Sequence, residues 1–264
     1  MTFSPTPGSL VLTIKAITFD FWATLYKSKT VDYAQRLLEL KEEIEQGSGT
    51  AYELEQVKAA VRAARDTWRQ TWLEEHRTLG ADEWLDVLLQ ALGTALGPAD
   101  VLKIQRRLEN SVLYDRPTLV PEARGALTEL SRRYRLAIIS DTGLTPGRVL
   151  RQLLVEDEII SYFNQLTFSD EVGHSKPHPD AFLTTLRALG VTPAEAVHVG
   201  DLLRTDVAGA QGVGMRAVQY TGLSQDDWIA AVDESARSVV PDAIIVSHTE
   251  LKSLLQQWNG AKPA

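Results

Sequence analysis

Six polar residues, spread along the chain, are of the types that bind and transform a small anion. They are Asp20, Ser140, Asp141, Lys176, Asp201 and Asp206. Three carboxylates, those of Asp20, Asp201 and Asp206, would repel one another if crowded together, and a hard divalent cation such as Mg²⁺ relieves that repulsion. The ammonium group of Lys176 would offset further negative charge, and the hydroxyl group of Ser140 is suited to bind a phosphoryl oxygen. A carboxylate in such a site can act as a covalent nucleophile.

Each of these residues has a simpler role when it is considered alone. An aspartate that ends a strand, as we expect of Asp20, is often a turn former or a helix cap. Asp206 is suited to be a helix N-cap, and an isolated lysine such as Lys176 is typical of a solvated surface. The prediction of a catalytic site therefore depends on the order, the spacing and the strand context of the whole set.

The elements that must position this set alternate between strands and helices. The apolar, β-branched segment Ile14–Asp20 predicts a first strand that ends at the aspartate. Further strands are predicted at 136–140, 165–168, 196–199, 216–219 and 243–246. Helices between them are predicted at 122–134, 180–189, 206–212 and 248–258. This alternation predicts an α/β fold with a Rossmann-like, mostly parallel sheet covered on both faces, in which ligands bind at the carboxyl ends of the strands.

The segment between the first two strands has a different character. Apolar residues recur at helical spacing, and Gly80, Gly97 and Pro98 interrupt the pattern. The predicted helices are 31–46, 51–76, 82–96 and 98–113. We therefore predict two domains: a core of residues 1–28 and 115–264, and an inserted all-helical cap of residues 29–114. Trp68 and Trp72 lie on one helix face, which favours a core stripe of the bundle over the wall of a pocket.

Composition excludes several classes of function. The chain has 264 residues, no cysteine and a formal net charge of -8. Disulfides, thiolate catalysis and cysteine-zinc sites are excluded, and the negative charge argues against general nucleic-acid binding. The N-terminal sequence MTFSPTPGSL does not resemble a signal peptide, and no window approaches 18 apolar residues. We expect a cytoplasmic protein that acts on a small, phosphorylated molecule and binds neither nucleic acid nor membrane.

The four motifs together resemble those of the haloacid dehalogenase-like hydrolase superfamily. The family's first motif, Asp-x-Asp-x-Thr-Leu after a strand, corresponds to Asp20-Phe21-Trp22-Ala23-Thr24-Leu25. The second is the strand that ends at Ser140, and the third is Lys176-Pro177-His178-Pro179. The fourth corresponds to Gly200-Asp201 and Asp206, followed by Gly209-Ala210 and Gly214-Met215. The predicted helical segment lies at the position of the family's cap.

The resemblance implies a role for each matching residue. It implies that Asp20 attacks the substrate and becomes covalently modified. The implied magnesium ligands are Asp20, the backbone carbonyl group of Trp22, Asp201 and Asp206. The implied catalytic residues are Asp20, Thr24, Ser140 and Lys176. The implied substrate contacts are Ser140, Asp141 and Lys176.

One position departs from the family's pattern. Phosphatases of the family carry a second aspartate two residues after the nucleophile, which protonates the leaving alcohol, whereas this chain has Trp22. An indole N–H is not an acid at neutral pH, and general acid–base catalysis contributes about 10²–10⁴-fold to a rate. Three functions are therefore considered: a phosphohydrolase that forms an aspartyl-phosphate on Asp20, a haloacid dehalogenase-type carbon–halogen hydrolase, and a catalytically weak phosphate-binding or regulatory protein.

The fourth motif favours the phosphohydrolase. Dehalogenases of the family need no metal and replace the Gly-Asp segment with a Ser-Asn type sequence, whereas this chain keeps Asp201 and Asp206. They also carry asparagine where this chain has Asp141. Of the histidines near these motifs, His174 and His178 are predicted to be solvated loop residues, and His198 a partnered residue of the core.

Overall fold

The computed structural model describes residues 13–223, 229, 231, 233 and 236–260. Within these residues the strands are β1 (Ala16–Phe19), β2 (Tyr26–Lys27), β3 (Thr118–Leu119), β4 (Arg135–Ser140), β5 (Gln165–Phe168), β6 (Ala196–Gly200), β7 (Arg216–Tyr220) and β8 (Ala243–Ile245). The α-helices are α1 (Tyr33–Ser48), α2 (Leu54–Gln70), α3 (Ala81–Leu92), α4 (Pro98–Glu109), α5 (Ser111–Tyr114), α6 (Ala123–Leu130), α7 (Gly147–Glu156), α8 (Ser169–Val172), α9 (Pro179–Leu189), α10 (Ala208–Gly212) and α11 (Leu251–Gly260). Two π-helical turns span Thr71–Glu75 and Leu203–Val207.

Six strands form one sheet in the order β5-β4-β1-β6-β7-β8. All neighbouring strands in it are parallel, and β1 lies between β4 and β6. The chain therefore fills one side of β1 first and then crosses to the other side, which makes β1 the point where the strand order reverses. Ligand sites of open α/β sheets lie at the carboxyl ends of the strands beside such a point. The prediction of a Rossmann-like parallel sheet is confirmed.

The central strands are mainly apolar because the sheet is buried there on both faces. Ile138 belongs to an apolar cluster with α6, α7 and α11, whereas the next residue, Ile139, belongs to a second cluster with α9 and α10. Successive side chains of a strand point to opposite faces, so both faces require apolar residues. This packing fixes the register of β4 against β1 and thereby the height at which each strand ends.

Helices α1 to α5, which we call the helical insert, surround an apolar cluster of their own. Leu40, Ala64, Leu85 and Ile104 are buried in it, one from each of the four longer helices. For residues 31–113 the sequence predicts helices and no strand, and the described structure of that segment contains no strand. The helix predicted at 51–76 is divided, because α2 ends at Gln70 and continues as a π-helical turn. The division of the chain into a core and a cap at residues 28, 29, 114 and 115 stays a prediction.

Strands β2 and β3 were not expected from the sequence. They pair antiparallel at the base of the helical insert, with Tyr26 opposite Leu119 and Lys27 opposite Thr118. Each has two residues, which is too short to produce a recognisable alternation of polar and apolar residues. Within the described residues, no helix is both long enough and apolar enough to cross a membrane.

Candidate active site

A cavity of about 260 Å³ lies where β1, β4 and β6 end, and we call it the central cavity. Among the described residues, its charged lining comes from the α/β core: Asp20, Asp141, Lys176, Asp201 and Asp206. The helical insert contributes Trp68, Trp72 and Thr78 to the opposite wall. Of the predicted site residues, the structure brings these five charged residues and Trp22 together around one space.

Asp20 is placed by the first strand and by the turn that follows it. Its backbone N–H donates to the carbonyl oxygen of Val199 at 2.8 Å, so the aspartate lies level with the end of β6. Leu25 and Tyr26 both donate backbone N–H groups to the carbonyl oxygen of Phe21, which closes the turn. Ala23 in this turn has a φ of 51°, a left-handed conformation that is strained for a residue other than glycine. Strain of this kind is typical of functional sites.

Lys176 connects two of the carboxylates. Its ammonium group donates to Oδ1 of Asp20 and to Oδ1 of Asp206, each at 2.6 Å, and its side chain is 3% exposed. Although burial lowers the pKa of this lysine, the charges of Asp20, Asp206 and Asp141 raise it above its ordinary value. Lys176 therefore stays protonated and balances part of the negative charge.

Asp206 is the most firmly held carboxylate of the site. Burial raises its pKa, but Lys176 and a hydrogen bond with His198 together hold the pKa below its ordinary value. His198 Nε2 lies 3.0 Å from Asp206 Oδ1, and the backbone N–H of Leu202 donates to Oδ2 at 3.0 Å. A Cβ atom at Gly200 would overlap the side chain of Asp206, which explains the glycine at this point of the fourth motif.

The other carboxyl groups are shifted in the opposite direction. Burial raises the pKa of Asp20 to about 7, which Lys176 opposes and the charge of Asp206 reinforces. Burial and then the charges of Asp206 and Asp20 raise the pKa of Asp201 well above its ordinary value. Burial is the largest cause of both shifts and repulsion from the neighbouring carboxylates adds to it, so one lysine does not offset the cost of burying the three negative charges.

The donor set of this group fits a hard cation. Carboxylate oxygens of Asp20, Asp201 and Asp206 all lie within 4.8 Å of one another, and all three residues are buried. Oxygen-only ligands in this arrangement suit Mg²⁺ or a similar ion, and its charge would relieve the repulsion seen in the raised pKa values. The residues present therefore fit the predicted magnesium site.

Asp141 connects the sheet with the helical insert. Its Oδ2 accepts a hydrogen bond from Nε1 of Trp72 at 2.8 Å, and its Oδ1 accepts one from the backbone N–H of Lys176 at 2.9 Å. Burial raises the pKa of Asp141, and the hydrogen bonds and the charge of Lys176 oppose that shift. Trp72 also packs beneath the guanidinium group of Arg204, 5.1 Å from the ring centre.

The positions of Trp68 and Trp72 go beyond the core stripe that the sequence predicts. The two rings are nearly parallel, with centroids 5.9 Å apart, and both line the central cavity. A spacing of four residues puts two side chains on one helix face whether that face meets a core or a ligand. Trp68 also packs against the apolar cluster of the helical insert, so the core-stripe interpretation holds in part, and the pocket wall that it was favoured over is present as well. The spacing alone does not distinguish the two.

Thr24 and Ser140 are buried beside the site without lining the central cavity. Thr24 is fully buried, and its hydroxyl oxygen has no hydrogen-bond partner within the described structure. The hydroxyl group of Ser140 donates to the carbonyl oxygen of Asp141 at 3.3 Å. Their predicted contact with a phosphoryl group stays a prediction.

The histidines also have defined positions. His198 is a buried, partnered residue of β6, as expected, but its partner Asp206 makes it part of the support of the site. His174 and His178 are half-buried and stack on each other, 3.8 Å between centroids, near Asp180. Asp233 is a support that sequence reasoning missed, since it accepts hydrogen bonds from the backbone N–H groups of Leu203 and Arg204.

A parallel sheet that collects carboxylates and a lysine at the carboxyl ends of its central strands defines an α/β protein of the Rossmann-like type. A sequence profile of the haloacid dehalogenase-like hydrolases matches residues 14–214. The match covers more than half of the chain, so the protein belongs to the haloacid dehalogenase-like hydrolase family. The resemblance inferred from the motifs is confirmed.

Comparison with individual proteins adds two relatives named glyceraldehyde 3-phosphate phosphatase. The one from Methanopyrus kandleri is 27% identical over 92% of this chain and 98% of its own length. The one from Pyrococcus furiosus is 32% identical over 54% of this chain and 56% of its own length, so that match spans little more than half of the relative. Among solved structures, a 2-haloacid dehalogenase from Pseudomonas syringae pv. Tomato DC3000 is similar with a TM-score of 0.67 and 25% identity, covering 93% of this chain and 100% of that one.

Proposed function

We propose that this protein is a magnesium-dependent phosphohydrolase that forms an aspartyl-phosphate on Asp20. The observation that carries the proposal is the buried group of Asp20, Asp201 and Asp206, whose carboxylate oxygens lie within 4.8 Å of one another beside Lys176. A carbon–halogen hydrolase has no need of such a cation site. The relatives named as phosphatases support the same reaction class.

In this proposal the chain's own residues share four tasks. Asp20 supplies the attacking oxygen, and Lys176 donates to that carboxylate, opposes the rise of its pKa and holds it close to Asp206. The residues that would hold Mg²⁺ are Asp20, the carbonyl group of Trp22, Asp201 and Asp206. When bound, the cation supplies positive charge against the repulsion between the carboxylates and the phosphoryl group. Thr24, Ser140 and Asp141 support the nucleophile and the phosphoryl group.

The protonation state of Asp20 gives the cation a second task. Burial raises the pKa of Asp20 to about 7, so a large share of the aspartate would be protonated and not nucleophilic near neutral pH without further positive charge. A divalent cation close to a carboxylate favours the ionised form. Activity is therefore expected to require the cation even for esters whose alcohol leaves easily.

The experiment is the hydrolysis of 4-nitrophenyl phosphate by the purified protein. We expect turnover in Mg²⁺, loss of turnover in excess chelator, and a loss of at least about 10³-fold in Asp20→Asn, because the nucleophile is removed. Asp66→Asn is the matched control, since the Asp66 side chain is 66% exposed on α2. Equal turnover in chelator, or in Asp20→Asn, would falsify the proposal.

A haloacid dehalogenase-type activity is the second candidate, because a 2-haloacid dehalogenase is structurally similar and carbon–halogen cleavage needs no acid at the position of Trp22, since halide leaves unprotonated. Halide release from 2-chloropropionate is the test. We expect none, because no arginine is among the described residues that line the central cavity and could bind the substrate carboxylate. Binding of beryllium fluoride without turnover of any ester would instead indicate a regulatory protein.

A further inference from the structure

The wall of the central cavity that faces Asp20 is aromatic. Trp22 from the turn after β1 and Trp68 and Trp72 from the helical insert all line it. Trp22 packs edge-on against Phe21, with centroids 4.9 Å apart, which fixes its ring beside the nucleophile. Aromatic walls of this kind offer area and ring faces to a flat apolar group.

Several polar groups that line the central cavity already take part in hydrogen bonds. The hydroxyl group of Thr78 lies 3.0 Å from that of Ser175, and the hydroxyl group of Thr142 lies 3.2 Å from that of Ser169. Both oxygens of Asp141 accept hydrogen bonds from Trp72 and from the backbone of Lys176. A leaving group rich in hydroxyl groups would have to share these partners with the hydrogen bonds that they already make.

Among the described residues that line the central cavity, a free cation for a second anionic group is also lacking. Lys176 is the one lysine, arginine or histidine among the described lining residues, and Asp20 and Asp206 bind it. The segment 224–235, which is described in part, contains no lysine, arginine or histidine in its sequence. A substrate with a carboxylate or second phosphate would enter this space without a counter-charge.

A second cavity of about 380 Å³ adjoins the first, and Trp22, Ser28 and Trp68 line both. Its other lining residues include Val31, Val112 and Leu144. Its cations, Lys29 and Arg36, pair with Asp115 at 3.3 and 2.6 Å. The two cations share one carboxylate, so one side of the second cavity is positively charged, whereas the side next to the tryptophans is apolar and suited to an apolar body.

We infer that the substrate is an aryl phosphate monoester, whose flat ring lies against Trp22 and Trp68 and whose phenolate leaves without an acid. The inference depends on the proposed function. In the first step an Asp20 carboxylate oxygen bonds to phosphorus, and the bond from phosphorus to the aryl oxygen breaks. The electron pair departs with the phenolate, which later takes a proton from solvent. Water then attacks phosphorus, releasing inorganic phosphate and the Asp20 carboxylate.

Three test substrates distinguish the effect of an aromatic ring from the effect of a good leaving group. Phenyl phosphate has both features, acetyl phosphate has a good leaving group without a ring, and benzyl phosphate has a ring on an alkyl oxygen. We expect phenyl and benzyl phosphate to have KM values within about threefold of each other, and the kcat of benzyl phosphate to be lower by about 10²-fold, the low end of the effect of a missing acid. Acetyl phosphate should have the highest KM.

Substitution of Trp68 tests where the ring binds. Ring contacts contribute about 0.5–1.5 kcal/mol, so Trp68→Leu should raise the ratio of the phenyl phosphate KM to the acetyl phosphate KM by about threefold to tenfold. Trp68→Phe, which keeps a ring, should bring the KM ratio most of the way back to the wild-type value. It also covers the case in which the leucine variant does not fold. Trp258→Leu on α11, whose ring lies 4.6 Å from Arg216, is the matched control.

The outcomes distinguish this inference from the proposed function. If no phosphate is hydrolysed, the proposed function itself is wrong. If esters are hydrolysed but Trp68→Leu changes both KM values equally, the aryl substrate is wrong and the phosphohydrolase stands. A higher kcat/KM for glyceraldehyde 3-phosphate, the compound in the names of two relatives, than for phenyl phosphate would overturn the inference in the same way.

Discussion

The two walls of the central cavity are built from different residues. The wall at the ends of β1, β4 and β6 carries buried carboxylates and a lysine, whereas the wall from the helical insert carries Trp68 and Trp72. The charged wall is held by hydrogen bonds from backbone and side chains of the sheet, and the aromatic wall by apolar packing. One wall is suited to handle a phosphoryl group of any ester, and the other to select what the phosphoryl group is attached to.

The largest expected effect tests whether charge balance holds the first wall together. Replacement of Lys176 by methionine leaves Asp20 and Asp206 without their ammonium partner, and breaking a buried pair costs about 3–5 kcal/mol. The free energy of unfolding in urea, measured in chelator, should fall by that amount. In the control Lys58→Met, which breaks an exposed pair with Glu55, it should change by less than about 1 kcal/mol. Equal losses would mean that the charges of the wall are not coupled.

The next prediction concerns Trp22, the tryptophan of the central cavity that belongs to the first motif. Trp22→Asp restores a carboxyl group where the family's phosphatases have one, and a general acid assists alkyl esters more than aryl esters. The ratio of kcat/KM for an alkyl phosphate to that for an aryl phosphate should rise by about 10²-fold. Trp22→Phe removes the indole without adding an acid and should leave the ratio within about threefold. An unchanged ratio in Trp22→Asp would show that the missing acid does not limit turnover.

A third prediction concerns pH. Burial raises the pKa of Asp20 from 3.8 to about 7 in the folded protein, so between these values the native state holds a proton that the unfolded chain has released. The free energy of unfolding in chelator should therefore fall as pH rises through this window, with a slope on the order of 1 kcal/mol per pH unit. The raised pKa of Asp201 acts in the same direction. The pKa of Asp206 is held low, so Asp206 changes the free energy of unfolding with pH only in more acidic solution.

Urea titrations at several pH values measure this slope. Asp20→Asn should make it shallower, and Mg²⁺ should add more stability at high pH than at low pH, because the cation binds the ionised carboxylates. A flat pH profile in chelator would contradict the raised pKa values of Asp20 and Asp201.

The smallest expected effect tests the contact between the two walls. Trp72→Phe removes the indole N–H that donates to Asp141 and keeps an aromatic ring. Thermal unfolding should report a loss of roughly 1 kcal/mol, the typical value for one hydrogen bond. A loss no larger than that of Trp258→Phe, far from the cavity, would show that the hydrogen bond does not hold the walls together.

The sequence predicted the charged wall far better than the aromatic one, for a physical reason. The charged residues follow strands or belong to motifs, as Asp20, Lys176 and Asp201 do. The order of these motifs along the chain predicts which strands are neighbours, and parallel strands bring their carboxyl ends together. Trp68 and Trp72 reach the cavity only through the packing of the helical insert on the core. Helical spacing indicates a common face but not what that face meets.

Other details were beyond sequence reasoning for related reasons. The π-helical turn after Gln70 depends on how the end of α2 meets the core, and no residue type marks it. The support of Asp206 by His198 requires knowing that β6 places the histidine inward. Strands β2 and β3 pair with each other although they lie more than 90 residues apart in the chain, and neither strand is recognisable without its partner.

That pairing predicts that the helical insert can be exchanged as a unit. The chain departs through Lys27 and returns through Thr118, and these two residues lie opposite each other in an antiparallel ribbon. Their Cα atoms are therefore about 5 Å apart, a gap that a short turn or an unrelated loop can close. A graft at this junction would exchange the aromatic wall while the strand ends that hold the carboxylates keep their own sheet neighbours.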